Sequence, residues 1–238
     1  MIPILTPALI LLAFLSATPA QDPAPRPSPA DLNKQFNADK ADLDVFLKRW
    51  ESDDRDIFVR RADIVRAAAL RPGMAVADVG AGTGLFTWPF AAAVGPKGKV
   101  HAVDVAPLFL RYLRAETARR NLADVVRVVE GRADTTTLPP ASIDVAFLCA
   151  TYHHLEKPGP MLASLHQALR PGGRLIVIDF DLRPDSPDFV KQRARAPRDV
   201  YAREIEAAGF EALPPATNPP DPAIKDNFYA AFRRRDKK

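Results

Sequence analysis

The stretch that most constrains the chain is Met74 to Gly84, where a short apolar run ends in Asp78-Val79-Gly80-Ala81-Gly82-Thr83-Gly84. Met74 to Val79 is too short for a helix and too continuously apolar for a strand with one wet face. It predicts a strand buried on both sides. Glycines at every second position of the turn let the backbone reverse sharply and leave no side chain between the main chain and a ligand. A helix is predicted from near Leu85 to Val94, ended by Gly95-Pro96-Lys97-Gly98. The same residues would also serve a tight strand-to-helix connection that binds nothing.

The pattern then repeats. Lys99 to Asp104, Val125 to Val129, Ile143 to Cys149 and Arg174 to Phe180 are short apolar runs, and helical spacing covers Pro107 to Asn121 and Pro160 to Leu169. Arg170-Pro171-Gly172-Gly173 is expected to turn the chain between the last helix and strand. Strands alternating with helices of this length imply an α/β fold: a Rossmann-like, doubly wound, mostly parallel sheet covered on both faces. Val200 to Ala208 is expected to be a helix. Glu211 to Leu213 and Asn227 to Phe232, around a Pro-rich turn, suit an antiparallel pair at the sheet edge. Ahead of the sheet, Phe46, Trp50, Ile57, Ile64, Val65 and Ala68 recur at helical spacing, which predicts helix between Ala41 and Leu70.

The ends differ in composition from the middle. Residues 1–20 hold an apolar core, Leu9 to Leu15, followed by Ser16-Ala17-Thr18-Pro19-Ala20, which reads as a signal peptide and implies export to the periplasm or beyond. The alternatives are an uncleaved membrane anchor and a cytoplasmic protein. Residues 21–30 form a Pro/Ala-rich linker, 31–70 a helical cap, 71–232 the main domain and 233–238 a basic tail. The net charge of +4 owes much to that tail, and no base-stacking pattern accompanies it, so no nucleic-acid partner is expected. A single cysteine, Cys149, excludes an intramolecular disulfide and any zinc site built on several thiolates.

Two carboxylates follow the glycine turn in order. Asp104 ends the second strand about twenty residues on, the interval at which a carboxylate accepts from ribose hydroxyls. Leu85 stands where a dinucleotide-binding G-x-G-x-x-G needs its last glycine, which favours a nucleoside without a pyrophosphate over a nicotinamide cofactor. Asp134, in Gly131-Arg132-Ala133-Asp134, could accept from an adenine amino group while the Ala133 N–H serves the ring, or it could simply close a turn.

With Ser142-Ile143-Asp144 and Leu169 to Gly173, these segments make the chain from Ile57 to Phe232 resemble the class I S-adenosylmethionine-dependent methyltransferases. The resemblance implies a seven-stranded sheet whose last strand is antiparallel and inserted beside the fifth. It implies S-adenosylmethionine as cofactor, with Gly80, Gly82 and Gly84 along its methionine part, Asp104 at the ribose and Asp134 at the adenine. Asp78 would steady the loop and the cofactor's amino group, and Ala81, Val105, Ala133 and Cys149 are placed with them.

Cys149-Ala150-Thr151-Tyr152-His153-His154-Leu155-Glu156 follows the fourth strand, where that superfamily places residues beside the transferable methyl. Methyl transfer needs mainly positioning, and a base only where the acceptor loses a proton. His153 and His154 are the candidate bases, with Tyr152 against cofactor or acceptor; no metal is expected. Trp50, Arg55 and Phe58 are candidates for acceptor contact, and Arg193, Arg195 and Arg198 for attracting an anion. The expected enzyme methylates a small molecule; a non-catalytic module that only binds the cofactor is the alternative.

Overall fold

In a computed structural model, residues 27–36, 41–215 and 224–236 are described, so the N-terminal segment with the expected export signal lies outside the described residues. Among the described residues, no helix is long and apolar enough to cross a membrane.

The strands β1 (Ala75–Val79), β2 (Lys99–Asp104), β3 (Val126–Glu130), β4 (Ile143–Cys149), β5 (Leu169–Phe180), β6 (Phe210–Ala212) and β7 (Asn227–Arg234) form one sheet in the order β3-β2-β1-β4-β5-β7-β6. The first five pair in parallel, and β7 is antiparallel to both β5 and β6. This is the expected seven-stranded sheet, with its antiparallel strand beside the fifth. The direction of winding reverses between β1 and β4, the switch point at which open α/β sheets bind ligands.

Period-two alternation in the strands divides the core into two layers. Val76, Val145, Phe147, Ile176 and Ile178 point to one face, packed by α4 (Arg61–Ala67), α5 (Thr87–Val94) and α6 (Pro107–Arg119). Ala75, Ala77, Ala146, Leu148, Leu175 and Val177 point to the other, packed by α7 (Pro158–Ala168) and α9 (Arg198–Ala207). Every residue of β1 is buried, its apolar residues as the sequence requires and Asp78 with them.

Three segments depart from expectation. The expected helix over 41–70 is broken into α2 (Leu43–Trp50), α3 (Asp56–Val59) and α4, following a short α1 (Pro29–Asn33). Ser52, Asp53 and Asp54 cause the break, because short polar side chains compete for backbone donors: the Ser52 hydroxyl accepts from the Asp54 N–H at 3.3 Å. The expected turn at Arg170 to Gly173 becomes an excursion within β5. Ile143 still pairs with Leu169, but Val145 pairs with Arg174, and Gly172 takes a φ of 70° to allow it. The basic tail is shorter than expected, since Arg233 and Arg234 belong to β7, where Arg234 pairs with Phe210 and its guanidinium donates to the Leu169 carbonyl.

Phe147 lies fully buried at the centre of the first layer, its ring centroid 4.8 Å from Phe86 and 4.9 Å from Phe90. Replacing it with alanine removes that contact and leaves a cavity, at a cost of about 3–5 kcal/mol. Urea denaturation of Phe147→Ala should show the midpoint falling accordingly, with far-UV circular dichroism unchanged in buffer.

Candidate active site

A cavity of about 1030 Å³ opens beyond the carboxyl ends of the parallel strands, between the sheet and the helical cap. Its floor at one end is the glycine turn after β1. Gly80 and Gly82 have φ of 73° and 54°, a region that a side-chain-bearing residue enters only with strain. The turn is laced to β2: the N–H groups of Gly80 and Ala81 donate to the Val103 carbonyl at 2.8 and 3.1 Å. The Gly82 N–H donates to Asp104 Oδ2 at 2.8 Å, and Asp104 Oδ1 accepts from the Val105 and Ala106 N–H groups at 2.8 and 2.9 Å. Burial pushes the Asp104 carboxyl above the ordinary range even though these three donors favour its charge.

Asp78 is the second buried carboxylate at this end. The Thr87 hydroxyl at the start of α5 donates to its Oδ2 at 2.6 Å. Burial dominates, and the nearby Asp104 charge adds to it, so Asp78 is pushed up to about 7 despite the hydroxyl. Ala81, Val105, Ala133 and Cys149 also line the cavity. Burial raises the Cys149 thiol far above its usual range, so it is a packed neutral group rather than a thiolate. Asp134 sits in the tight turn closed by the Arg132 and Thr135 backbones; Arg132, Ala133 and Thr135 form the wall there, and Asp134 is not among the lining residues.

The opposite end is built from the loop after β4 and the end of β5. Tyr152–His154 is a single 3₁₀ turn, entered through Ala150 at a φ of 50°. Asp179, fully buried near the end of β5, holds that turn: its Oδ2 accepts from the His153 N–H at 3.1 Å, and its Oδ1 lies 2.8 Å from His153 Nδ1. Burial disfavours the Asp179 charge, but His153 and the N–H groups of Phe180 and His153 outweigh it and hold the carboxyl below its ordinary value. Because a carboxylate only accepts, His153 Nδ1 carries the proton and Nε2 is left as the acceptor nitrogen.

His154 is held differently. Its Nδ1 lies 2.9 Å from Asn33 Oδ1, and the Asn33 amide donates to the His154 carbonyl and to Glu156, each at 3.1 Å. Burial, then the charge of His153, push its imidazole down to about 3. Tyr152 does not reach the cavity. It is fully buried on the far side, its hydroxyl donating to Glu204 at 3.0 Å while Arg195 grips the same carboxylate. That role anchors the loop to α9, and it takes Arg195 out of the cavity too. Arg198 stacks on Phe228, and Phe58 lies under Arg61; neither lines the cavity.

The cap closes over the cleft as an aromatic cluster in which Phe36, Phe46 and Trp50 pack on Phe109 of α6, with His154 edge-on to Phe36 at 5.1 Å. Trp50 rests on the glycine turn, so close that a Cβ at Gly82 would come within 2.8 Å of its ring. Asp179 and Asn33 are site residues that sequence reasoning missed. Only Asp179 carried a signal: it stands at the carboxyl end of a strand neighbouring β4, one residue past the pairing of Cys149 with Ile178.

Residues 77–177 match the family model described as "Methyltransferase domain". The ubiquinone/menaquinone biosynthesis C-methyltransferase of Hahella chejuensis is 30% identical over 147 residues, 62% of this chain and 54% of the relative. The corresponding enzyme of Ectopseudomonas mendocina is 31% identical over 127 residues, 53% and 49% of the two chains. The chain thus spans about half the length of the curated relatives it matches. A crystal structure of a SAM dependent methyltransferase from Aquifex aeolicus superimposes with a TM-score of 0.67 at 24% identity, over 81% of this chain and 98% of that one. Residues 77–177 thus match a methyltransferase domain, and the chain has the fold of that S-adenosylmethionine-dependent enzyme.

The cleft suits S-adenosylmethionine on its own chemistry. Asp78 is a buried carboxyl with no cationic side chain paired to it among the described residues, and the nearby Thr83 hydroxyl oxygen is buried without a partner. An arriving ammonium group would ionise the first and could engage the second. The pH dependence follows with its sign. Asp78 is protonated in the free protein below about 7, so binding an ammonium must then expel a proton. Calorimetry with S-adenosylhomocysteine should show affinity rising about tenfold per pH unit below 7 and levelling above it. Asp78→Asn should flatten the profile. The raised Asp78 pKa also means that its contribution to stability, full below the unfolded value, is lost as pH rises through about 7. Asp78→Asn should therefore raise the Tm of the free protein at pH 8 while weakening cofactor binding.

Proposed function

We propose that the protein transfers a methyl group from S-adenosylmethionine to a small-molecule acceptor that must give up a proton, with His153 as the base. The observation that carries this reading is the buried His153–Asp179 pair at the edge of the cavity. Bound at the glycine turn, the cofactor supplies an electrophilic methyl group; Gly80, Gly82 and Asp104 would hold it, with Asp78 at its ammonium. The chain's own residues do the rest. Asp179 keeps the His153 proton on Nδ1 and fixes the ring, so that Nε2 receives the acceptor's proton. The carboxylate then stabilises the imidazolium that forms. The cap aromatics exclude water from the cleft.

The two adjacent histidines are not equivalent candidates. An imidazole held near 3 is a poor proton acceptor at neutral pH, and His154 has only the Asn33 amide beside its Nδ1. His153 has a carboxylate there. The assignment goes to His153, with His154 as part of the wall that shapes the acceptor space. The curated relatives are named as C-methyltransferases. Methylation at carbon replaces a hydrogen, and an acceptor of that kind, or a hydroxyl, would use such a base.

Calorimetry with S-adenosylmethionine and S-adenosylhomocysteine tests the reading at its root: binding of neither would sink it. Transfer of tritiated methyl to a panel of phenols, enols, amines and thiols then tests the chemistry. His153→Gln should keep cofactor affinity within about twofold and lower turnover by about 10²–10⁴. His154→Gln should cost less than tenfold in turnover. Asp179→Asn should lower turnover about as far as His153→Gln, because an amide can hold the wrong tautomer. Equal effects at both histidines would remove the base from His153.

A further inference from the structure

Three arginines from three separate elements converge on the cap side of the cavity. Arg49 lies in the last turn of α2, Arg55 precedes α3, and Arg193 ends α8 (Asp188–Arg193). All three line the cavity, and none forms an ion pair among the described residues. Arg49 is partly occupied, donating to Gln35 at 2.9 Å and stacking on Phe46 and Trp50. Arg55 is the most enclosed, and its one protein acceptor among the described residues is the Trp50 carbonyl, at 3.3 Å. Burial pulls its pKa down, and the like charges of Arg49 and Arg193 add to the effect. A guanidinium withdrawn from water beside two others is unfavourable unless an anion meets it.

The carboxylates on the same cavity do not meet it. Asp56 accepts the Lys225 N–H and pairs with Arg60, and Glu156 is held by Asn33. Asp78 and Asp104 belong to the glycine-turn end. Asp54 and Asp226 line the cavity as well, yet neither pairs with any of the three arginines. The cluster also borders the proposed base. Arg193 and Arg49 both act electrostatically on His154, whose ring centroid is 4.1 Å from that of His153. Flat apolar groups complete the surroundings: Phe36, Trp50, Phe180 and the exposed Phe189 line the same space.

Resting on the methyltransferase reading and naming its substrate class, we infer that the acceptor is a small aromatic acid, its oxyanion bound by Arg55 with Arg49 and Arg193 and its ring against the aromatic wall. A guanidinium fork matches a carboxylate or phosphate through paired N–H donors, which a neutral acceptor cannot use. The cluster would hold the acid while the ring's reactive hydroxyl or carbon faces His153.

The test compares 2-naphthoate, 2-naphthyl phosphate and neutral 2-naphthamide by ligand-observed NMR titration of the full chain. It is run with and without S-adenosylhomocysteine, so that a failure to bind cofactor, which would sink the methyltransferase reading, leaves the comparison of acid with amide intact. The expected result is that at least one acid binds at least tenfold tighter than the amide, with affinity falling as salt is raised. A preference for carboxylate or for phosphate identifies which oxyanion fits. Arg55→Gln should lower acid affinity at least tenfold and leave the amide unchanged. Arg193→Gln, at an exposed position outside the core, should lower it about threefold. Equal binding of acids and amide, no binding of any of them, or acid affinity unchanged in both variants would overturn the inference.

Discussion

The parallel pairing of β1 with β4, Val76 beside Val145 through Val79 beside Leu148, is the interaction on which the site depends. Those two strands are far apart in sequence and leave the sheet centre in opposite directions of winding. Once they pair in parallel, their carboxyl ends share one edge, and no crossover helix covers the gap between the following loops. The glycine turn after β1 and the Tyr152–His154 turn after β4 then face each other across a cleft. A Cβ at Gly80 would collide with Thr151, which measures how closely the two loops approach.

Buried carboxylates at the strand ends give the cleft its chemistry, and their environments set them apart. Among the described residues Asp78 has a hydroxyl and no cation, and its proton stays on to about neutral pH. Asp179 has an imidazole and two backbone N–H groups, and it remains charged in full burial. One is suited to wait for a positive ligand; the other is committed to orienting a histidine. Holding Asp78 buried with only a hydroxyl for company costs stability in the free protein, a common trade where a site must be ready for a ligand.

Much of the fold was legible because strand and helix periods are local. The apolar runs at 75–79, 99–104 and 143–149 appear as strands with nearly the bounds their patterns suggest. Where prediction failed, a local rule met a competing one. Apolar spacing continued across Ser52-Asp53-Asp54, but the Ser52 side chain captured a backbone donor and ended the helix. Pro171 and Gly172 marked a turn, and the ladder does skip 170–173, but Leu169 already pairs with Ile143, so the turn falls inside β5 rather than ahead of it. In the site, Asp104 was visible from its interval after the glycines. Asp134 had the right spacing, but the backbone turn from Arg132 to Thr135 leaves Ala133, rather than the carboxylate, on the wall.

The sequence by itself determined the cofactor class, because a glycine turn and a carboxylate one strand later are local features whose spacing the α/β unit preserves. It also narrowed the proposed base to two neighbouring histidines. Only the tertiary structure gives them different partners: Asp179 and Asn33 reach the pair from opposite directions in sequence, one from a neighbouring strand and one from the cap. The same holds for Tyr152, which a three-residue turn rotates away from the cavity toward Glu204, and for Arg49, Arg55 and Arg193, which three elements bring together. A side chain's partner across the fold is set by packing, and residue spacing along the chain carries no record of it.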